Sequence, residues 1–194
     1  MKIFRKLYEW TLNKSSHKSA PLFLSIISFA ESSFFPIPPD IILIPMVLAK
    51  RTKAFLYAAI CTLFSVFGGI FGYLIGLVFF NSIGILLVNL YHLGEEVNEF
   101  KNYYNLYGPW IVIIAGFTPF PFKVITIASG LFNLNFFIFI LCSLISRGAR
   151  FYLLSVSLYF FGDKIKGFID KYFNFLTVLF LVLLVGSIFI IKAL

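Results

Sequence analysis

The sequence predicts an all-α, polytopic membrane protein of one domain, residues 1–194, and three observations carry that prediction. Sixty per cent of the residues are hydrophobic and 12 % are charged, with a mean hydropathy of +0.97, more apolar than a soluble core of this size requires. Charge-free runs at 54–80 and 173–191 are each long enough to cross a hydrocarbon layer about 30 Å thick as a helix. Apolar and polar residues do not alternate as a transmembrane β-barrel needs.

Composition also bounds the function. The formal charge is +8, but the basic residues are spread over loops rather than gathered in one patch. That spread fits membrane orientation better than nucleic-acid binding, and no nucleic-acid partner is expected. Cys61 and Cys142 both lie in apolar stretches and are read as packing residues. His17 and His92 are isolated and read as interfacial. The chain offers no nucleophile–base pair, glycine-rich phosphate loop or His/Cys cluster, so neither an enzyme, a cofactor nor a metal site is expected.

Taken in order, residues 1–20 carry Ile3, Leu7, Tyr8 and Trp10 against Arg5, Lys6 and Lys14, a pattern for an amphipathic helix on the membrane surface. No short apolar core with a cleavage site follows, so this segment is read as retained. Residues 21–49 hold "ESSFFPIPPDIILIP". Were they to cross the membrane, the basic N-terminus and the "KRTK" at 50–53 would face opposite sides. A re-entrant hairpin puts both in the cytoplasm. Pro36, Pro38 and Pro39 remove three backbone donors and make "FPIPPD" a broken, extended tip.

Residues 54–80 then cross outward, with Gly68, Gly69, Gly72 and Gly76 spaced for close approach of another helix. That spacing permits a homo-oligomer as readily as internal packing. The segment 81–108, with Glu95, Glu96, Glu99 and several aromatics, is expected at the outer interface. Residues 109–133 contain "GFTPFPFKVITIASG", a second apolar run broken by Pro119 and Pro121 and read as a second re-entrant hairpin. A shift of 83 residues aligns Phe34 with Phe117, Pro36 with Pro119, Pro38 with Pro121, and Asp40 with Lys123. Each motif precedes a long apolar helix, 54–80 or 134–161. The second unit starts and ends outside, so the two halves would be inverted, an architecture used to move substrates across bilayers. After the inward helix 134–161, Lys164, Lys166 and Lys171 mark cytoplasm. Residues 173–191 carry the chain out, leaving the N-terminus cytoplasmic and the C-terminus outside.

Five ionisable groups fall at membrane depth: Glu31, Asp40, Lys123, Arg147 and Arg150. An Asp, Lys or Arg facing lipid at a helix centre costs about 2.5–3.5 kcal/mol on insertion scales, so these groups must face one another, water or a substrate. Arg147 and Arg150 are three residues apart in "SRGAR" and share a helix face. Two carboxylates against three cations leave an excess of +1, which an anion would complete. Guanidinium forks suit phosphate, with Lys123 a point charge, making Lys123, Arg147 and Arg150 the candidate substrate-binding set. Burial pushes a carboxylate toward its neutral form and a neighbouring cation pulls it back. Glu31 and Asp40 are therefore the candidate proton-linked or gating acids, with protons as a second partner. Pro36, Pro38, Pro39, Pro119 and Pro121 shape the hairpins, and Ser32, Ser33 and Thr118 are expected to satisfy the backbone groups they free.

The stretches "FAESSFFPIPPDIILIPMVLA", "GGIFGYLIG", "GFTPFPFKVITIASG" and "SRGARF", in that order over roughly residues 25–162, resemble the DedA family and its YqaA-like branch. The resemblance implies the VTT-type fold (VTT/SNARE-associated domain) with two opposed re-entrant hairpins, an inner-membrane location and a role in envelope maintenance. It also implies recycling of undecaprenyl phosphate or translocation of phospholipid, as flippase or scramblase, with dependence on proton motive force. By resemblance Glu31 and Asp40 correspond to the family's acidic pair, and Arg147 and Arg150 to its cations. The chain departs from the common pattern in its first tip, "PIPPD", and in having Lys123 within "TPFPFK". The expected function is translocation of a phosphate-bearing lipid, phospholipid or polyprenyl phosphate, between leaflets. A proton-coupled transporter of a small solute or ion and a non-transporting scaffold are the alternatives.

Overall fold

The structure is a computed structural model and describes residues 20–34, 38–91, 94–118 and 120–162. Among the described residues every regular element is helical. Residues 1–19 of the segment 1–20 expected as an amphipathic helix, with Pro36, Pro119, His17, His92, the lysines after 163 and the apolar run 173–191, lie outside them, and Ala20 belongs to the first described helix.

Helix α1, Ala20–Ser33, is apolar but carries serines whose hydroxyls donate back to the preceding turn. Ser25 bonds the Pro21 carbonyl at 2.9 Å, Ser28 that of Leu24 at 2.7 Å, and Ser33 that of Phe29 at 2.8 Å. The hydroxyls are thereby satisfied within the helix itself. After the break, Pro38 and Pro39 start α2, Asp40–Ala49: their carbonyls accept from Ile41 at 3.3 Å and from Leu43 at 2.9 Å. A proline entering a helix gives up a donor the first turn would leave unpaired anyway. A 3-10 turn, Arg51–Lys53, leads into α3, Ala54–Phe79.

A π-helical turn, Phe80–Gly84, joins α3 to α4, Ile85–Tyr91. Helix α5 runs as one piece from Gly94 to Phe117 through Pro109. The boundary drawn from sequence at 108/109 falls inside it, because one missing donor does not end an apolar helix. Helix α6, Phe122–Leu131, closes with Asn133 in the left-handed region at φ 55° and with the Leu134 amide on the Ser129 carbonyl at 2.9 Å. Asparagine tolerates that conformation better than most residues. Asn135 then caps α7, Phe136–Gly162, its Oδ1 accepting from the Phe137 and Ile138 amides at 3.0 and 3.1 Å. The last described helix therefore begins two residues after the start at 134 suggested by hydropathy.

The stretches Arg51–Ser82 and Phe136–Gly162 are the two described helices long and apolar enough to cross a membrane. Both turn large apolar side chains outward, among them Phe67, Phe71, Val78, Phe137 and Leu141. Two cores lie between the helices. One joins Ala20 and Leu24 of α1, Leu43, Met46 and Val47 of α2, Ala54, Tyr57, Ala58 and Cys61 of α3, and Phe151 and Leu158 of α7. The other joins Tyr73 of α3, Tyr104 and Val112 of α5, Phe122 of α6, Leu134 just before α7, and Phe139 and Cys142 in its first turns. The first core draws on the first helix–break–helix unit and the second core on the second unit, at opposite ends of α3 and α7. The boundaries of the two units repeat. The ends of α1 and α5, and the starts of α2 and α6, and of α3 and α7, all agree with the 83-residue shift to within one residue.

Glycine makes the crossing tight. A Cβ at Gly68 would strike the Phe29 carbonyl of α1, one at Gly72 the Thr126 side chain, and one at Gly76 the Ile127 carbonyl of α6. The glycine face of α3 is filled from within the chain, by α1 on one side and α6 on the other.

Candidate functional site

Residues flanking the two breaks come together beside α3 and α7, and a hydrogen bond joins the units there: Thr126 Oγ1 of α6 donates to the Ser32 carbonyl of α1 at 3.1 Å. Four of the five ionisable residues singled out by sequence meet at this place. Helix α7 supplies Arg147 and Arg150 one turn apart, the end of α1 supplies Glu31, and the first turn of α2 supplies Asp40. The acids and arginines pair one to one, Glu31 with Arg147 and Asp40 with Arg150.

Arg147 is enclosed. Its Nε donates to Ser65 Oγ at 2.7 Å, its Nη2 to Glu31, and the rings of Phe122 and Phe151 lie 4.9 and 4.8 Å from its guanidinium carbon. Aromatic faces attract a desolvated cation. Ser65 in turn shares a 2.6 Å hydrogen bond with Ser32, and the Ser32 hydroxyl donates to Glu31 at 3.2 Å. Glu31, Ser32, Ser65 and Arg147 therefore form one network across α1, α3 and α7. Of the guanidinium nitrogens of Arg147, Nη1 is buried without a partner. The side chain is 1 % exposed and Glu31 15 %.

Arg150 is more open, at 20 % against 21 % for Asp40. Its Nη2 donates to Asp40 and its Nη1 to the Thr118 carbonyl at 2.9 Å. Thr118 follows the last residue of α5, at an end where carbonyls find no donor within the helix and attract cations. Asp40 sits at the opposite kind of end, the N-terminal turn of α2, which favours an anion. Asp40 Oδ1 remains buried without a partner.

Lys123, in the first turn of α6, is half-buried and has no partner for its ammonium group among the described residues. It is not drawn into either pair. Pro38, Pro39 and Pro121 stand at the breaks; Pro39 precedes α2 with φ −65° and Pro121 precedes α6 with φ −61°. Sequence reasoning did not single out Ser65, Thr126, Phe122 or Phe151. Ser65 and Thr126 carried a faint signal, a polar residue one helical turn from Gly68 or Lys123. The two phenylalanines carried none, being two among 27. Among the described residues no three His, Cys, Asp or Glu gather as metal ligands would.

A family model, the VTT domain, matches residues 37–160. An uncharacterized protein of Haemophilus influenzae is 35 % identical over 99 % of this chain and 100 % of its own length. Another uncharacterized protein, from Histophilus somni, is 34 % identical over 80 % of this chain and 81 % of its own. No solved structure matches. With its two apolar helices and a family match over most of its length, this is a helical membrane protein with a transporter-like role, and the chain belongs to the VTT-domain (DedA) family.

Proposed function

We propose that this protein moves a phosphate-bearing lipid, phospholipid or polyprenyl phosphate, between the leaflets of the inner membrane. The observation that carries this reading is the set of charges gathered by the residues flanking the two breaks: two guanidinium groups one turn apart, of which Arg147 keeps a buried, unpartnered Nη1, and Lys123 without a described partner. Ionisable groups at membrane depth are costly and mark substrate paths. Planar forks recognise phosphate. The opposed ends at which the two units are anchored support their reading as re-entrant hairpins reaching the midplane from either side. In this reading Arg150 and Lys123 meet the head group, Arg147 sets the position of both, and Glu31 and Asp40 are the proton-linked or gating acids that tie transport to proton motive force. The N-terminus would be cytoplasmic and the C-terminus outside.

A scaffold without transport is the second reading, favoured by the one-to-one pairing of acids with arginines. Leaflet exchange separates the two. Proteoliposomes carrying fluorescent phosphatidylglycerol, a polyprenyl phosphate or a phosphate-free glycolipid are compared with empty vesicles and with Lys123→Gln protein. Faster exchange of a phosphate lipid alone, weakened in Lys123→Gln, supports translocation; no exchange of any lipid by folded protein supports the scaffold.

A further inference from the structure

We infer that Arg150 is a latch between the two helix breaks, and that a phosphate head group opens it by displacing Asp40 from the guanidinium. The inference rests on the lipid-phosphate reading above. Arg150 grips both units at once. Its Nη2 holds Asp40, in the first turn of α2, and its Nη1 holds the Thr118 carbonyl, just past α5. The Ser32–Thr126 bond joins the same two units elsewhere, between α1 and α6. The start of α2 and the end of α5 are therefore tied through one side chain of a third helix.

The latch is set where exchange is cheap. Arg147 cannot serve: rings lie against it, Ser65 and Glu31 occupy its Nε and Nη2, and it is sealed from solvent. Arg150 is about one-fifth exposed, as is Asp40. A phosphate oxygen replacing the Asp40 carboxylate gives the guanidinium another charge-assisted bond of the same kind. The energetic difference between closed and occupied states is then small, which a ligand can tip. Asp40 loses the cation but keeps the N-terminal turn of α2, where a carboxylate is stabilised. Lys123, in the first turn of α6, is a further cation without a described partner.

The test places spin labels at Ile41→Cys, beside Asp40, and Phe117→Cys, beside Thr118, in a background with Cys61→Ala and Cys142→Ala. Distances are measured in a phosphate-free maltoside detergent. The latch predicts a longer-distance population in Arg150→Gln and in Asp40→Asn without any lipid. In otherwise unaltered protein, adding short-chain phosphatidylglycerol raises that population about tenfold, the shift given by a tenfold preference of the lipid for the open state. Short-chain diacylglycerol, which lacks the phosphate, does not. Sodium phosphate is a separate arm; if it alone opens the latch, the phosphate rather than the acyl chains is the key. Unchanged distances in both variants, or an equal response to phosphatidylglycerol in wild type and Arg150→Gln, overturn the latch. Leaflet exchange on the same preparations keeps the two readings apart. Exchange without a latch response removes the latch alone, whereas a latch that opens to sodium phosphate with no lipid exchanged removes the lipid reading alone.

Discussion

The Glu31–Arg147 and Asp40–Arg150 pairs use the same chemistry one turn apart on α7, but their surroundings differ. Arg147 is held by a carboxylate, a hydroxyl and two aromatic faces and is 1 % exposed; Arg150 is held by a carboxylate and a helix-terminal carbonyl and is 20 % exposed. A buried pair broken on one side leaves a charge that nothing nearby can solvate. A partly exposed pair broken on one side leaves a charge that water or a ligand can meet. The first arrangement suits holding α1, α3 and α7 in register, and the second suits a contact that is made and released.

The largest effect is expected at the sealed pair. Glu31→Gln should cost about 3–5 kcal/mol of stability, read as a lowered thermal midpoint in detergent. The double change Glu31→Leu with Arg147→Met should recover most of that loss, because no unpaired charge is left behind. Equal losses in the single and double variants would show that packing, rather than charge, holds the region. Next in size is Gly68→Ala. Its Cβ would meet the Phe29 carbonyl, two residues from Glu31, and forcing α1 away should cost about 1–3 kcal/mol while loosening the sealed pair more than the open one. Asn135→Ala removes the cap of the helix that carries both arginines and should cost about 1 kcal/mol, affecting the pairs alike. The smallest loss is expected for Asp40→Asn, within about 1 kcal/mol after allowing for solvent screening. A loss there as large as that of Glu31→Gln would erase the distinction between the pairs.

Much of this comparison is legible in the sequence. The two charged pairs lie on residues that are costly at membrane depth wherever they occur, and the 83-residue shift locates both breaks, since proline and apolar runs act locally. Partner assignment is not legible. Nothing in the spacing of Glu31 and Asp40 says which arginine each meets, because that depends on how α1 and α2 seat against α7. Ser65 and the two rings around Arg147 escape for a related reason: they come from α3, α6 and α7, and only tertiary packing brings them to one cation. Pro109 misleads in the other direction. Its sequence looks like an element boundary, whereas α5 continues through it, so that a proline's local preference yields to the helix on both sides.

The most direct measurement compares Arg147→Gln with Arg150→Gln, each tested for thermal stability and for leaflet exchange of a phosphate lipid from one preparation. The account predicts that Arg147→Gln loses about 3–5 kcal/mol, whereas Arg150→Gln unfolds within about 1 kcal/mol of wild type and loses at least about tenfold in exchange rate, the effect of one missing charge-assisted contact. Folded Arg150→Gln protein that exchanges lipid as fast as wild type, or equal stability losses in the two variants, would contradict it.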